Sequence, residues 1–438
     1  MAHLPHKVWT YPSPIRVKLS IFVLLLLGHS AWAEGPSTVT GDWGGVRTEL
    51  LDRGINLTTV YTSELANNPR GGDGQRTAYA DEWAFGAEFD LQRLFEWNGA
   101  HVQVTITDRN GHDLDQTANL HTLEPVQEIY GRGQTWRLSE FFFQQTWLDD
   151  RLLWKVGRVA AGETFGSFNC HFQNLTFCGS QPGSVTDYWF NYPVSQWGTR
   201  LEFAVIPQVK LSLGIYQVNP TYNNDSWAAH NGLLPDNPSG TTGALIPFEA
   251  DWRPKFLGLT DSFKFGVWYD TSNANDVYLD VNRQPLVVTG DAPLRRHGRD
   301  GAYISFEQQI TGVASKSGAT LFLNITQADR ETSPATDRQI ALGVQYKDPF
   351  MRPNDVVGFA LGTTHVNSRV AAGERLLNEI NGSNVPVQSS EYVAEAFYGW
   401  TPWPFVTLRP NLQYVVHPGG SNAYANGVVV GLKTTVKF

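Results

Sequence analysis

Apolar and polar residues alternate one by one along most of this chain, and a sequence of that period buries one face only as β-strand. In 79–91, Trp83, Phe85, Ala87, Phe89 and Leu91 alternate with Glu82, Ala84, Gly86, Glu88 and Asp90. Val102, Val104 and Ile106 alternate with His101, Gln103, Thr105 and Thr107, and Leu201, Phe203 and Val205 with Arg200, Glu202 and Ala204. The same period runs through 209–216 and 262–270, and the chain ends on Val428, Val430, Leu432, Thr434, Val436 and Phe438. The pattern predicts strands near 55–65, 77–91, 100–108, 136–148, 151–160, 197–206, 208–218 and 244–252. It predicts others near 261–270, 300–311, 318–328, 337–347, 355–366, 390–401, 405–416 and 426–438. That makes 16 strands, an even number, as in bacterial outer-membrane barrels.

The connections say what kind of sheet this is. The joins at Asp149-Asp150, Pro207, 312–317, 348–354 and 402–404 are short, whereas 109–135, 161–196, 219–243, 271–299 and 367–389 are long. Short turns on one rim and long loops on the other are the asymmetry of outer-membrane barrels, and a soluble sandwich has no reason to keep it. In lipid every backbone N–H and C=O must be paired, so the sheet must close on itself. The expected fold is therefore all-β: a closed antiparallel transmembrane barrel over 55–438, preceded by a periplasmic segment over 34–54.

Residues 1–33 carry Lys7, Arg16 and Lys18, an apolar run Leu19–Leu27, and Ala31-Trp32-Ala33. This reads as a secretory signal peptide cleaved near Ala33. The apolar run falls short of the roughly 20 residues that a helix needs to span a bilayer. Export to the outer membrane of a Gram-negative cell follows, with outer-membrane lipids as surroundings. Phe438, closing an alternating strand, resembles the assembly signal of barrel proteins, and the outer-membrane assembly machinery is the expected partner of that strand.

Lipid-facing positions should be apolar, with aromatics at the interfaces, and Trp147, Trp197, Trp252, Trp400 and Trp403 suit such girdles. A lysine on the lipid face at mid-membrane costs roughly 2–4 kcal/mol, which assigns Lys210, Lys264 and Lys433 to the lumen. With 33 basic against 42 acidic residues the chain lacks the basic face of a nucleic-acid binder. No nucleophile and base are brought together by the pattern, so a channel rather than an enzyme is expected, with no cofactor and no metal.

A 16-stranded lumen holds water, and its narrowest point sets selectivity. The longest loop, 161–196, is the one expected to fold inward as the constriction. It contains Cys170 and Cys178, whose separation in an oxidising compartment favours a local disulfide. The metal alternative, Cys170/His171/Cys178, lacks a fourth ligand. Tyr188, Trp189 and Tyr192 could stack on sugar rings, while Asp187, Asn174 and Asn191 could bond hydroxyls. Alternatively, the aromatics pack the loop against the wall. Arg200, Glu202, Lys210 and Lys264, with Glu307 and Arg409 further round, should line the wall beside the loop. Mixed charges there would give a polar throat able to hold hydroxyl groups.

The segment Thr40-Gly-Asp-Trp-Gly-Gly-Val-Arg47, followed by Leu50 and Gly54-Ile55, resembles the entry motif of the carbohydrate-selective porin family (OprB type). Gly157-Arg158 through Cys170-x-Phe172-Gln173-Asn174 and Phe177-Cys178-Gly179 resembles that family's third loop. Tyr392 through Pro402-Trp403, Leu408-x-Pro410-x-Leu412-Gln413-Tyr414 and His417-Pro418-Gly419-Gly420 resemble its C-terminal signature. The loop departs from the family pattern around Gly162-Glu163-Thr164-Phe165. The resemblance implies a 16-stranded barrel, a short N-terminal helix at about Gly45–Arg53, and facilitated diffusion of monosaccharides such as glucose. A general diffusion porin shares the barrel and is the competing expectation. Monomer and homotrimer are both open.

Overall fold

The computed structural model describes residues 37–168 and 170–438. The leader over 1–33 and its cleavage site near Ala33 lie outside the described residues. Sixteen antiparallel strands close into one barrel. They are β1 (Ile55–Arg70), β2 (Thr77–Asp90), β3 (Ala100–Gly111), β4 (Trp136–Trp147), β5 (Leu152–Val159), β6 (Gln196–Ile206), β7 (Val209–Val218) and β8 (Gly243–Trp252). The second half comprises β9 (Asp261–Asp280), β10 (Pro293–Gln309), β11 (Gly318–Ala328), β12 (Thr336–Lys347), β13 (Val356–Val366), β14 (Ser390–Trp403), β15 (Val406–Val416) and β16 (Gly427–Lys437). Each strand pairs with its neighbours in sequence, and β1 closes on β16 with Val60 opposite Lys437.

Every strand read from the alternation is present, and the lengths differ where the chain leaves the membrane. β1 continues to Arg70, and β9 and β10 extend the barrel wall over 271–280 and 293–299, where a loop was expected. Asn273 pairs with His297 and Asn275 with Arg295 in that extension. With water on both faces, a strand needs no apolar side, so the period of two disappears while the ladder persists. A second difference is the helix Ser368–Asn381 inside the loop 367–389. Asn367 caps its start by accepting from Arg369 N, and Gly382 ends it in the left-handed conformation.

The N-terminal helix α1 (Val46–Asp52) lies at the short-turn rim. Asp42 accepts from Thr48 N at 2.9 Å, and Gly54, at φ 93°, turns the chain into β1. Arg47 donates to the Phe438 carbonyl at 2.9 Å, which ties the two ends of the barrel strand order together.

Parity sorts the side chains. Leu201, Leu213, Phe248, Phe265, Val267, Leu342, Phe359, Leu361 and Leu412 are exposed on the outside, as a lipid-facing band requires. Trp147, Trp252, Trp400 and Trp403 stand exposed at strand ends as girdle residues. Trp197 departs from that expectation. Its indole packs against the loop cluster of Phe190, Val194 and Tyr222 and donates to the Asp236 carbonyl at 3.0 Å. Val267 tests the outer face: Val267→Lys should destabilise the barrel by roughly 2–4 kcal/mol. The measurement is urea unfolding in lipid vesicles, and an unchanged midpoint would remove Val267 from the hydrocarbon layer.

Candidate functional site

The third outer loop, 160–195, folds into the lumen and is held there at two apolar anchorages. At the first, Phe165, Tyr188 and Trp189 pack against Tyr216, Trp268 and Tyr303 of β7, β9 and β10. A Cβ at Gly266 would collide with the Tyr303 ring, so the bare backbone there makes room for the anchorage. At the second, Phe172 and Phe177 pack against Phe322 and Phe397 of β11 and β14. The loop therefore crosses the lumen from one wall to another. Cys170 and Cys178 are joined by a disulfide between these anchorages.

Inward-facing carboxylates fix the loop backbone. Glu395 on β14 accepts from Gln173 N and Asn174 N, both at 2.8 Å. Glu249 on β8 accepts from Gly166 N at 2.9 Å and from the Tyr303 hydroxyl at 2.6 Å. From β16, the Lys433 ammonium donates to the Phe172 carbonyl at 3.0 Å. Removing any of these leaves buried donors or acceptors unpaired, at about 1–3 kcal/mol each.

The second outer loop, 112–135, docks beside it. Glu391 accepts from Leu123 N at 2.8 Å, and Glu128 N donates to the Gln173 carbonyl at 2.9 Å, joining the two loops. The Glu128 carboxylate and Glu64 flank Lys433 at 2.7 and 3.3 Å. Arg109 on β3 pairs with Glu82 at 2.5 Å and stands over the Tyr192 ring at 5.9 Å. Burial, with Arg409, Lys433 and Lys347 nearby, pushes the His171 imidazole down to about 4, so it is neutral at pH 7. The Glu128 carboxylate approaches both sulfurs of the bridge, but the bridge leaves neither as a thiolate for a metal.

Between the third loop and the arc from β4 to β9 an open cavity of about 380 Å³ remains. Its lining carries five acidic side chains (Glu140, Glu163, Glu202, Glu249, Asp251) and five basic ones (Lys155, Arg200, Lys210, Arg253, Lys264). The formal charges cancel. Glu202 forms ion pairs with both Arg200 and Lys210, the second at 2.7 Å. Lys264 donates to the Ser167 carbonyl of the loop at 2.7 Å, and Lys155 sits over the Phe142 ring at 3.9 Å.

The residues singled out in the sequence thus divide into two groups. Arg200, Glu202, Lys210 and Lys264 come together around the cavity. Asp187, Tyr188, Trp189 and Asn174 are engaged with protein instead. Asp187 pairs with Arg299 at 2.6 Å, and the same guanidinium covers the Tyr188 ring at 3.9 Å. Trp268 Nε1 donates to the Tyr188 hydroxyl at 2.9 Å, and Trp189 is fully buried edge-on to Trp268. Asn174 caps a turn through Thr176 N and donates to Gln413 Oε1 at 3.0 Å. Lys433 faces inward as expected, yet it is locked under the loop rather than solvated. Sequence reading missed Glu140, Lys155, Glu249 and Asp251; their signal was parity, since all four fall on the inward face of their strands.

Such a lining offers charged donors and acceptors on all sides, with formal charges that sum to zero. It can exchange water for the hydroxyls of a polyol without favouring an ion of either sign.

The pattern of the carbohydrate-selective porin, OprB family, matches residues 74–438. Porin B of Pseudomonas aeruginosa is 39% identical over 445 aligned residues, covering 95% of this chain and 96% of the relative. The high-pH structure of Pseudomonas putida OprB superposes with a TM-score of 0.88 at 39% identity, covering 93% of this chain and all of that one. The low-pH structure of Pseudomonas putida OprB gives a TM-score of 0.58 at 26% identity over the same share of this chain and all of that one.

Proposed function

Because this chain belongs to the carbohydrate-selective porins of the OprB family, we propose that it passes monosaccharides such as glucose by facilitated diffusion through the cavity beside the third loop. The observation that carries this reading is the lining of five acidic and five basic side chains around that cavity. A neutral polyol replaces its hydration shell there with charge-assisted hydrogen bonds, whereas an ion of either sign meets as many repelling as attracting groups, so neither sign is favoured. Arg200, Glu202, Lys210 and Lys264 are assigned the hydroxyl contacts. Asp187, Tyr188, Trp189 and Asn174 act by holding the loop in place. The barrel stands in the outer membrane of a Gram-negative cell, as a monomer or homotrimer, after export past Ala33 and assembly through the strand ending at Phe438.

One observation supports a second reading, a general diffusion pore: the ring faces of Tyr188 and Trp189 are covered by protein and offer no stacking platform. Single-channel conductance in a planar bilayer with glucose titrated in separates the two. A sugar-selective pore should show ion current falling saturably with glucose. Stepwise channels indifferent to every sugar would leave the general pore.

A further inference from the structure

The short-turn rim carries apolar side chains where solvent-facing turns normally carry polar ones. Leu257 is 97% exposed, Met351 94% and Phe350 80%. All three have left-handed backbones, at φ 53°, 57° and 56°, a conformation that bulky residues avoid. A turn that is both strained and apolar is disfavoured twice in water, and the second cost vanishes if the side chain lies in an apolar medium.

The ring contacts say which medium. The turn 253–260 folds over the outside of the barrel: Phe256 packs edge-on against Trp252 at 5.9 Å and against Phe263 at 6.1 Å. Phe263 continues to Phe306 at 5.4 Å, so the turn extends the lipid-facing aromatic band without a break. The turn 91–99 does the same, with Trp97 against Phe143 at 5.2 Å and Phe143 against Trp154 at 6.1 Å. Beside the Leu257 tip, Lys255 is exposed and makes no ion pair among the described residues, so its ammonium can meet a lipid phosphate. Apolar tips with a neighbouring cation, continuous with a lipid-facing band, are the makings of interfacial anchoring.

We propose that the short turns are membrane-inserted: Leu257 and the Phe350-Met351 tip lie within the phospholipid leaflet on the periplasmic side, with Lys255 at the level of its phosphates. The barrel is then gripped by lipid at its rim as well as along its wall.

The test places single thiols in the full-length protein by Leu257→Cys and Met351→Cys, with Arg283→Cys, at the tip of the β9–β10 extension, as the aqueous control. Each is labelled with bimane and reconstituted in vesicles of phosphatidylethanolamine and phosphatidylglycerol. Nitroxide on the upper acyl chain should quench the labels at 257 and 351. Aqueous iodide should quench them several-fold less than the label at 283. Iodide quenching equal to that at 283, without nitroxide quenching, would overturn the proposal. Shielding from iodide without nitroxide contact would also overturn it, because that combination means a protein cover. Channel activity of each labelled variant confirms that the barrel reported on is folded.

Discussion

Glu395→Ala is expected to free the third loop from its wall and raise single-channel conductance, with current that flickers between two levels. The carboxylate is buried on β14, and its two oxygens take the amides of Gln173 and Asn174 at 2.8 Å each. Alanine leaves both amides unpaired, at about 1–3 kcal/mol apiece, so the docked state loses about 2–6 kcal/mol. The Phe172–Phe177 anchorage and the Lys433 contact oppose full release, which is why two levels rather than one open level are expected. Glu395→Gln keeps the shape and one acceptor and should flicker less. The barrel ladder does not depend on this side chain, so the folded band in heat-modifiability gels should persist. Conductance identical to the parent in a folded Glu395→Ala channel would mean that the loop needs no carboxylate to stay in place.

The same contact shows why the sequence disclosed the wall better than the site. A strand is written locally: period two is visible in ten residues, and all sixteen barrel strands were readable from it. Parity also delivered Arg200, Glu202, Lys210 and Lys264, because a charge on the inward face of a transmembrane strand has only the lumen to point into. The loop obeys no period. Asn174 finds Gln413, 239 residues away, and Asp187 finds Arg299, 112 residues away. Residue type marked these as polar or aromatic members of an inward loop, but a side chain able to hold a sugar hydroxyl is equally able to hold a distant wall residue. The helix Ser368–Asn381 was announced by Asn367 and Gly382 at its ends. Between those end signals the residues 368–381 carry no broad apolar stripe, so nothing but the caps separates the helix from loop.

Arg200→Glu is expected to turn a charge-balanced throat into a cation-selective one. The lining holds five groups of each sign, and the exchange makes it six acidic against four basic, a formal change of two charges at one position. The site amplifies that change. Arg200 is paired with Glu202, which also binds Lys210 at 2.7 Å, so the variant sets two carboxylates side by side with one ammonium between them. Like charges that close, beside low-dielectric walls, raise the local concentration of cations and repel anions. Under a potassium chloride gradient the reversal potential should move toward the potassium limit, and the shift should shrink at high salt as screening grows. Sugar block should weaken in the same channel. Loss of one charge-assisted hydrogen bond of about 1.5–3 kcal/mol corresponds to roughly a tenfold to hundredfold rise in Kd. Arg200→Lys separates the two effects: it keeps the balance of charge, so the reversal potential should stay, while the bidentate geometry and part of the sugar affinity are lost. A reversal potential unmoved by Arg200→Glu would place the narrowest part of the ion path away from the β4–β9 arc. In that case the junction of the second and third loops around Arg109 and Glu128 becomes the region where selectivity is set.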